Sequence, residues 1–219
     1  MRPIALLVLC GTLHLHATAQ FEGTIQSTNR TVDDGGSSQV YQQTIHVKKS
    51  MVRVEVPPIA GMPASTAIYR RDRKITWMLD AASRTYFEIH VQDEGPKKSG
   101  EVEKREVPTV QRTKKTKKLL GYVCEQVIVI RNDVRTEVWG AHGLEDLAAV
   151  LVDALEGEQS AAPDDVIAAL GLFPLQSTTT YEGHTLDAQE VTKIERKTLD
   201  PALFEIPAGY TKQKAADVE

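Results

Sequence analysis

The chain has 219 residues, 26 Lys+Arg against 30 Asp+Glu for a formal net charge of −4, and only 5% aromatic residues. A mildly acidic chain lacks the basic footprint of a nucleic-acid groove, and few aromatics leave few stacking platforms for single strands or sugars, so no nucleic-acid partner is expected. A chain of this length is one domain's worth, able to bury most of its apolar surface without disulfide staples.

Arg2 supplies a positive charge, Ile4 to Leu9 form an apolar core extended by Leu13 and Leu15, and Ala17-Thr18-Ala19 matches the small-x-small pattern of signal peptidase. Residues 1–19 therefore read as a signal peptide, cleaved between Ala19 and Gln20, and the destination as the periplasm or the medium. The apolar stretch is shorter than the roughly 20 residues of a membrane-spanning helix. Cys10 follows Leu9, where lipoprotein processing wants a small residue. Its removal leaves Cys124 as the sole thiol, so no internal disulfide forms despite an oxidising destination.

Phe21 to Ser27 reads as a strand, Asp33-Asp34-Gly35-Gly36 as a turn-forming loop, and Tyr41 to Val47 as a second strand. Met51 to Val56 alternates valines with Arg53 and Glu55, which predicts one buried face and one that meets water. Ala67 to Tyr69, Lys74 to Leu79 and Thr85 to Ile89 follow as an antiparallel meander. Ile75, Trp77 and Leu79 share one face, as do Thr85, Phe87 and Ile89, and the two sets are expected to pair across the strands. Gln92 to Glu106 is charged and Gly/Pro-bearing, a mobile loop. Val107 to Thr113 reads as a strand, and the basic run Lys114 to Lys118 leads into Leu119 to Cys124. Val127 to Ile130 is apolar on both faces, which requires cover from two sides.

That cover is expected from the only helical stretch, about 143–172. Leu144, Leu147, Leu151 and Leu155 recur at helical spacing, and Ala148 to Val152 makes the helix apolar almost all round. Pro163, with Asp164 and Asp165 in the first turn, opens a second, shorter helix that Gly171 stops. Strands return at Leu175 to Tyr181 and Thr185 to Arg196. The domain reading is one unit, 20–211, with a helical lid and a polar tail at 212–219.

Catalytic chemistry has no pattern to stand on. His46, His90, His142 and His184 are scattered singly, without metal-ligand spacing, so neither a metal nor a cofactor is expected. Glu145-Asp146 and Asp164-Asp165 sit where helix first turns favour carboxylates. No serine occupies a nucleophile elbow and no glycine-rich phosphate loop follows a strand. Cys124, in an apolar strand, reads as an inert core residue. Lys114, Lys115, Lys117 and Lys118 form a basic patch with two readings: a membrane-surface or partner-docking site, or a lysine-protected edge strand.

Several segments together resemble a secreted bacterial family, domain of unknown function family 4412. They are Phe21-Glu22-Gly23, Val52-Arg53-Val54-Glu55, Leu79-Asp80 with Thr85-Tyr86, and Leu120 to Glu125. Thr136 to Trp139, Phe173-Pro174-Leu175 and Phe204 to Tyr210 complete the set. The family is similar to periplasmic lipoprotein carriers and outer-membrane lipoprotein receptors. The resemblance implies a curved antiparallel sheet, an incomplete β-barrel with helices over its concave face, and no catalytic residue. On this basis the chain is a mainly β (α+β), non-enzymatic binding protein. An apolar ligand, such as an acyl chain, a lipid or a lipidated protein, would lie between sheet and lid, near Trp77, Leu79, Leu147, Val150 and Leu151. The alternative is a cell-envelope interaction or structural protein with a filled core.

Overall fold

The computed structural model describes residues 20–33, 35–59, 61–90, 107–155 and 163–213. The expected signal peptide, the loop at 92–106 and most of the polar tail lie outside the described residues.

Alternating patterns and short turns in the first half produce β1 (Glu22–Val32), β2 (Ser38–Lys48), β3 (Met51–Val56), β4 (Ser65–Arg70), β5 (Ile75–Asp80) and β6 (Thr85–His90). The second half contributes β7 (Thr109–Leu119), β8 (Tyr122–Arg131), β9 (Val134–Ala141), β10 (Phe173–Tyr181) and β11 (His184–Arg196), with α1 (Glu145–Leu155) and α2 (Pro163–Ala169) between β9 and β10. A two-residue strand, β12 (Thr211–Lys212), ends the sheet.

All twelve strands belong to one open, curved sheet, ordered β12-β6-β5-β4-β3-β2-β1-β11-β10-β9-β8-β7. It is thus two antiparallel meanders of sequential neighbours joined by the pairing of β1 with β11, with β12 added in parallel on β6. At that joint a Cβ on Gly23 would come within 2.1 Å of the Glu195 carbonyl oxygen, so only glycine permits the approach.

Both helices lie on the concave face. Leu144, Leu147, Ala148 and Ala154 pack with Phe21, Ile25, Val47, Val52, Ala67 and Tyr69 into the main core. Around α2, Ile167 and Leu172 pack on Val127, Val129 and Val138. A Cβ at Gly140 would sit 2.8 Å from that of Leu172, so the missing side chain lets the chain leaving α2 settle onto β9. β8 meets its expected cover on one face only: Val127 and Val129 are buried under α2, whereas on the other face Cys124 and Gln126 are buried but Ile128 and Ile130 are half-buried.

Two expectations fail. Register pairs Trp77 with Glu88, Leu79 with Tyr86 and Met78 with Phe87, so Ile75, Trp77 and Leu79 occupy the face opposite Phe87 and Ile89. The turn decides this: Asp80 pairs with Thr85, its carboxylate accepts from the Ala82 and Ser83 backbone N–H groups, and a one-residue shift inverts every side chain. The second failure is the water-facing side of β3. The convex face there is covered by the 3-10 turn Pro201–Phe204 and its flanks, with Leu199 and Phe204 packed on Ile68, Ile75, Trp77 and Leu79. Arg53 donates to the Leu203 carbonyl and Arg70 to the Phe204 carbonyl, which fastens the segment to the sheet.

Candidate ligand-binding face

Cross-strand register resolves the concave face into rows. One row runs Ile194, Ile25, Ile45, Val54, Ala67, Met78, Phe87, from β11 to β6. Beside it runs Val47, Val52, Tyr69, Thr76, Ile89. β-branched side chains at alternate positions of β2 and β3 build these rows, since they pack well on a pleated surface. α1 meets the sheet at β3, β4 and β10. Beyond it the apolar surface continues into solvent: Phe87 is 42% exposed and Ile89 49%.

Toward the far ends of β1 and β2 the same face turns polar. Gln43 and Ser27 stand across from each other, then Tyr41, Asn29 and Gln189, then Gln39, Thr31, Asp187, Thr179 and Thr136. Ser27, Asn29 and Thr136 are buried. Asn29 Nδ2 donates to Ser27 Oγ at 3.1 Å, and the Thr136 and Thr179 hydroxyls share a bond at 3.2 Å. Burial pushes the Asp187 carboxyl above its ordinary range, against a hydrogen bond from Thr179. Burial, and then the nearby Asp187, push the Tyr41 phenol up as well. Among the described residues no cation pairs with Asp187.

The expected ligand residues are not brought together. Leu147 is fully buried in the main core, and Val150 and Leu151 are partly buried against it. Trp77 and Leu79 lie on the convex face under Phe204, the consequence of the β5–β6 register, and Trp77 Nε1 donates to Glu88 Oε2 at 3.0 Å. The rows of Ser, Thr, Asn and Gln escaped sequence reading because strands polar on both faces carry no period-2 signal.

The lysines lie on β7, the last strand of the sheet. Lys114, with φ 63°, falls in a bulge where pairing with β8 breaks between Arg112 and Thr116. Lys117 is held over the Trp139 ring, 4.1 Å from its centroid, and donates to Gln176 Oε1. Lys118 stands across from exposed Val123, on the face opposite Lys117. This basic, bulged edge has the features that discourage strand addition. Cys124 is fully buried, and burial pushes its thiol up, away from the reactive thiolate. Glu145 accepts from the Gly143 backbone N–H, a helix-entry role. His46 is engaged by Thr24 and Glu55. Among the described residues no three His, Cys, Asp or Glu side chains stand close enough to hold a metal.

An open, curved, twelve-stranded sheet with a two-helix insertion on its concave face defines the class of this protein: a half-barrel rather than a closed barrel or a sandwich. The chain belongs to the family described as domain of unknown function DUF4412, whose model matches residues 21–210. It is similar to an uncharacterised conserved protein from Thermus thermophilus at a TM-score of 0.50 and 10% identity, over 88% of this chain and 91% of that one. It also matches PNGF-II at a TM-score of 0.42 and 16% identity, over 88% of this chain but 31% of that one. A LolA superfamily protein, NE2245 from Nitrosomonas europaea, matches at a TM-score of 0.36 and 8% identity, over 85% of this chain and 91% of that one. Among curated proteins none matches the sequence.

Proposed function

We propose that this is a non-enzymatic binding protein of the periplasm or the extracellular medium, whose concave face holds the apolar part of a ligand. The observation that carries this reading is the row from Ile45 to Phe87, which continues past α1 and ends in side chains exposed to solvent. Exposed apolar surface continuous with a covered core is the usual geometry of a binding groove. Leu147, Val150 and Leu151 form the helix wall in this reading, and Met78, Phe87 and Ile89 replace Trp77 and Leu79 as the sheet wall. The signal-peptide pattern supplies the address, and lipids and lipidated proteins are the ligand class.

The test is binding of the neutral fluorophore 1-N-phenylnaphthylamine to purified protein. The double substitution Phe87→Asp, Ile89→Asp weakens it about tenfold or more, by placing two carboxylates in the groove, while the circular dichroism spectrum is unchanged. Absence of fluorophore binding by the wild-type protein, together with no lipid in native mass spectra of protein taken from the envelope, refutes the reading.

A further inference from the structure

The concave face holds a feature that an apolar groove alone does not require. Asp187 is an acid among neutral neighbours: register surrounds it with Thr31, Gln39 and Thr179, and with Asn29, Tyr41 and Gln189 in the adjoining row. These groups are hydroxyls and amides, able to donate to a carboxylate but carrying no compensating charge. Arg131, a basic side chain of the same parity on β8, stands three strands away along the sheet, and no ion pair among the described residues joins it to Asp187. A half-buried carboxyl without a counter-ion loses its hydration without full replacement, which is an expensive arrangement for a fold that could place asparagine there. The position next to the apolar row matters as well. Four residues of strand, about 13 Å, separate Tyr41 from Ile45 and Asn29 from Ile25, which is close to the length of a ten-carbon chain.

We propose that the polar rows around Asp187 are the head-group site of an amphiphilic ligand, and that Asp187 is the counter-ion for a primary amine on that head. Tyr41, Asn29 and Gln189 position the head by hydrogen bonds while the tail lies toward the partly buried Ile45, beside the core that holds Ile25. The inference rests on the binding reading given above and adds its polarity. An ammonium at Asp187 replaces the missing cation and makes a charge-assisted hydrogen bond, whereas a carboxylate head meets like charge.

Displacement of 1-N-phenylnaphthylamine by decylamine, decanol and decanoate at pH 7, each below its micelle concentration, tests it. Wild-type protein prefers decylamine to decanol by about tenfold, with decanoate weakest. Asp187→Asn reduces the ratio of decylamine to decanol affinity to within about twofold, and Asp187→Glu, which keeps the charge, retains a preference. Displacement by all three with equal strength, or an amine preference that survives Asp187→Asn, overturns the head-group assignment and leaves the groove standing. No displacement by any of the three overturns both.

Discussion

Two carboxyls on opposite faces of the sheet have opposite consequences for stability. Glu55, on the convex side, is held down to about 2, chiefly by its hydrogen bond to His46, with Arg53 adding to the effect against burial. A depressed carboxyl stabilises the fold above its unfolded value and loses that contribution as pH falls toward 2. Glu55→Gln should therefore lower stability at pH 7 by about 1 kcal/mol, discounted because the carboxyl is partly exposed, and the loss should shrink below about pH 4.5. Asp187 has the reverse sign. Its raised carboxyl binds a proton more tightly in the folded state, so its cost appears as pH rises through the ordinary carboxylate range and is complete above the folded value. Asp187→Asn should raise the melting temperature at pH 7 and leave it unchanged in acid. Thermal melts of both variants between pH 2.5 and 7.5 check the pair, and parallel curves for variant and parent would contradict it. A residue that costs stability where a neutral isostere would not is a mark of function at that position.

At the scale of elements, the convex face has the more consequential surprise. Arg70 is buried and ion-paired to Asp72 and Glu205, and Leu199 and Phe204 are buried over the sheet, so the segment Leu199 to Tyr210 is anchored to the core at these two residues. Phe204→Ala should cost about 3 to 5 kcal/mol by opening a cavity against Ile68 and Trp77. In a Trp139→Phe background, removal of everything after Thr198 should shift Trp77 emission to the red, because the indole then faces water. An unshifted spectrum would mean that the segment does not seal this face.

Much of this was legible beforehand. The valines of Met51–Val56 marked a strand, and the spacing from Leu144 onward placed α1 within one residue. What escaped was relational. Nothing local in Trp77 or Phe87 reveals that they point oppositely, since that depends on a four-residue turn. Likewise Phe204, alone near a chain end, carries no periodicity that says which face it will cover. The candidate site was legible only in part for the same reason: Leu147, Val150 and Leu151 pack toward the main core as their helical spacing required, but the sheet residues that face them are fixed by register.

The sheet is two local meanders joined by one long-range seam, with the short strand β12 added from far along the chain onto β6. Within β1–β6 and within β7–β11, hydrogen-bonded neighbours are close in sequence, apart from the two-helix excursion between β9 and β10. The strand pairing of each half should therefore form without the other, while the convex face of the first half stays uncovered until the seam forms and Leu199 to Tyr210 docks on it. Separately produced 20–98 and 99–219 segments, mixed in equal amounts, should recover the circular dichroism spectrum and 1-N-phenylnaphthylamine binding of the intact chain. Segments that remain apart would mean that the seam needs a continuous chain to form.

The seam also sets a clock. Among the described strands β1 is the first to emerge when the chain is synthesised, yet Gly23 finds its partner only at Arg196, at the end of β11. Until then the early meander waits with one long flank unpaired, a template for any other extended chain nearby. The glycine that lets the two strands meet so closely thus marks the moment at which a nascent, adhesive sheet becomes a finished one.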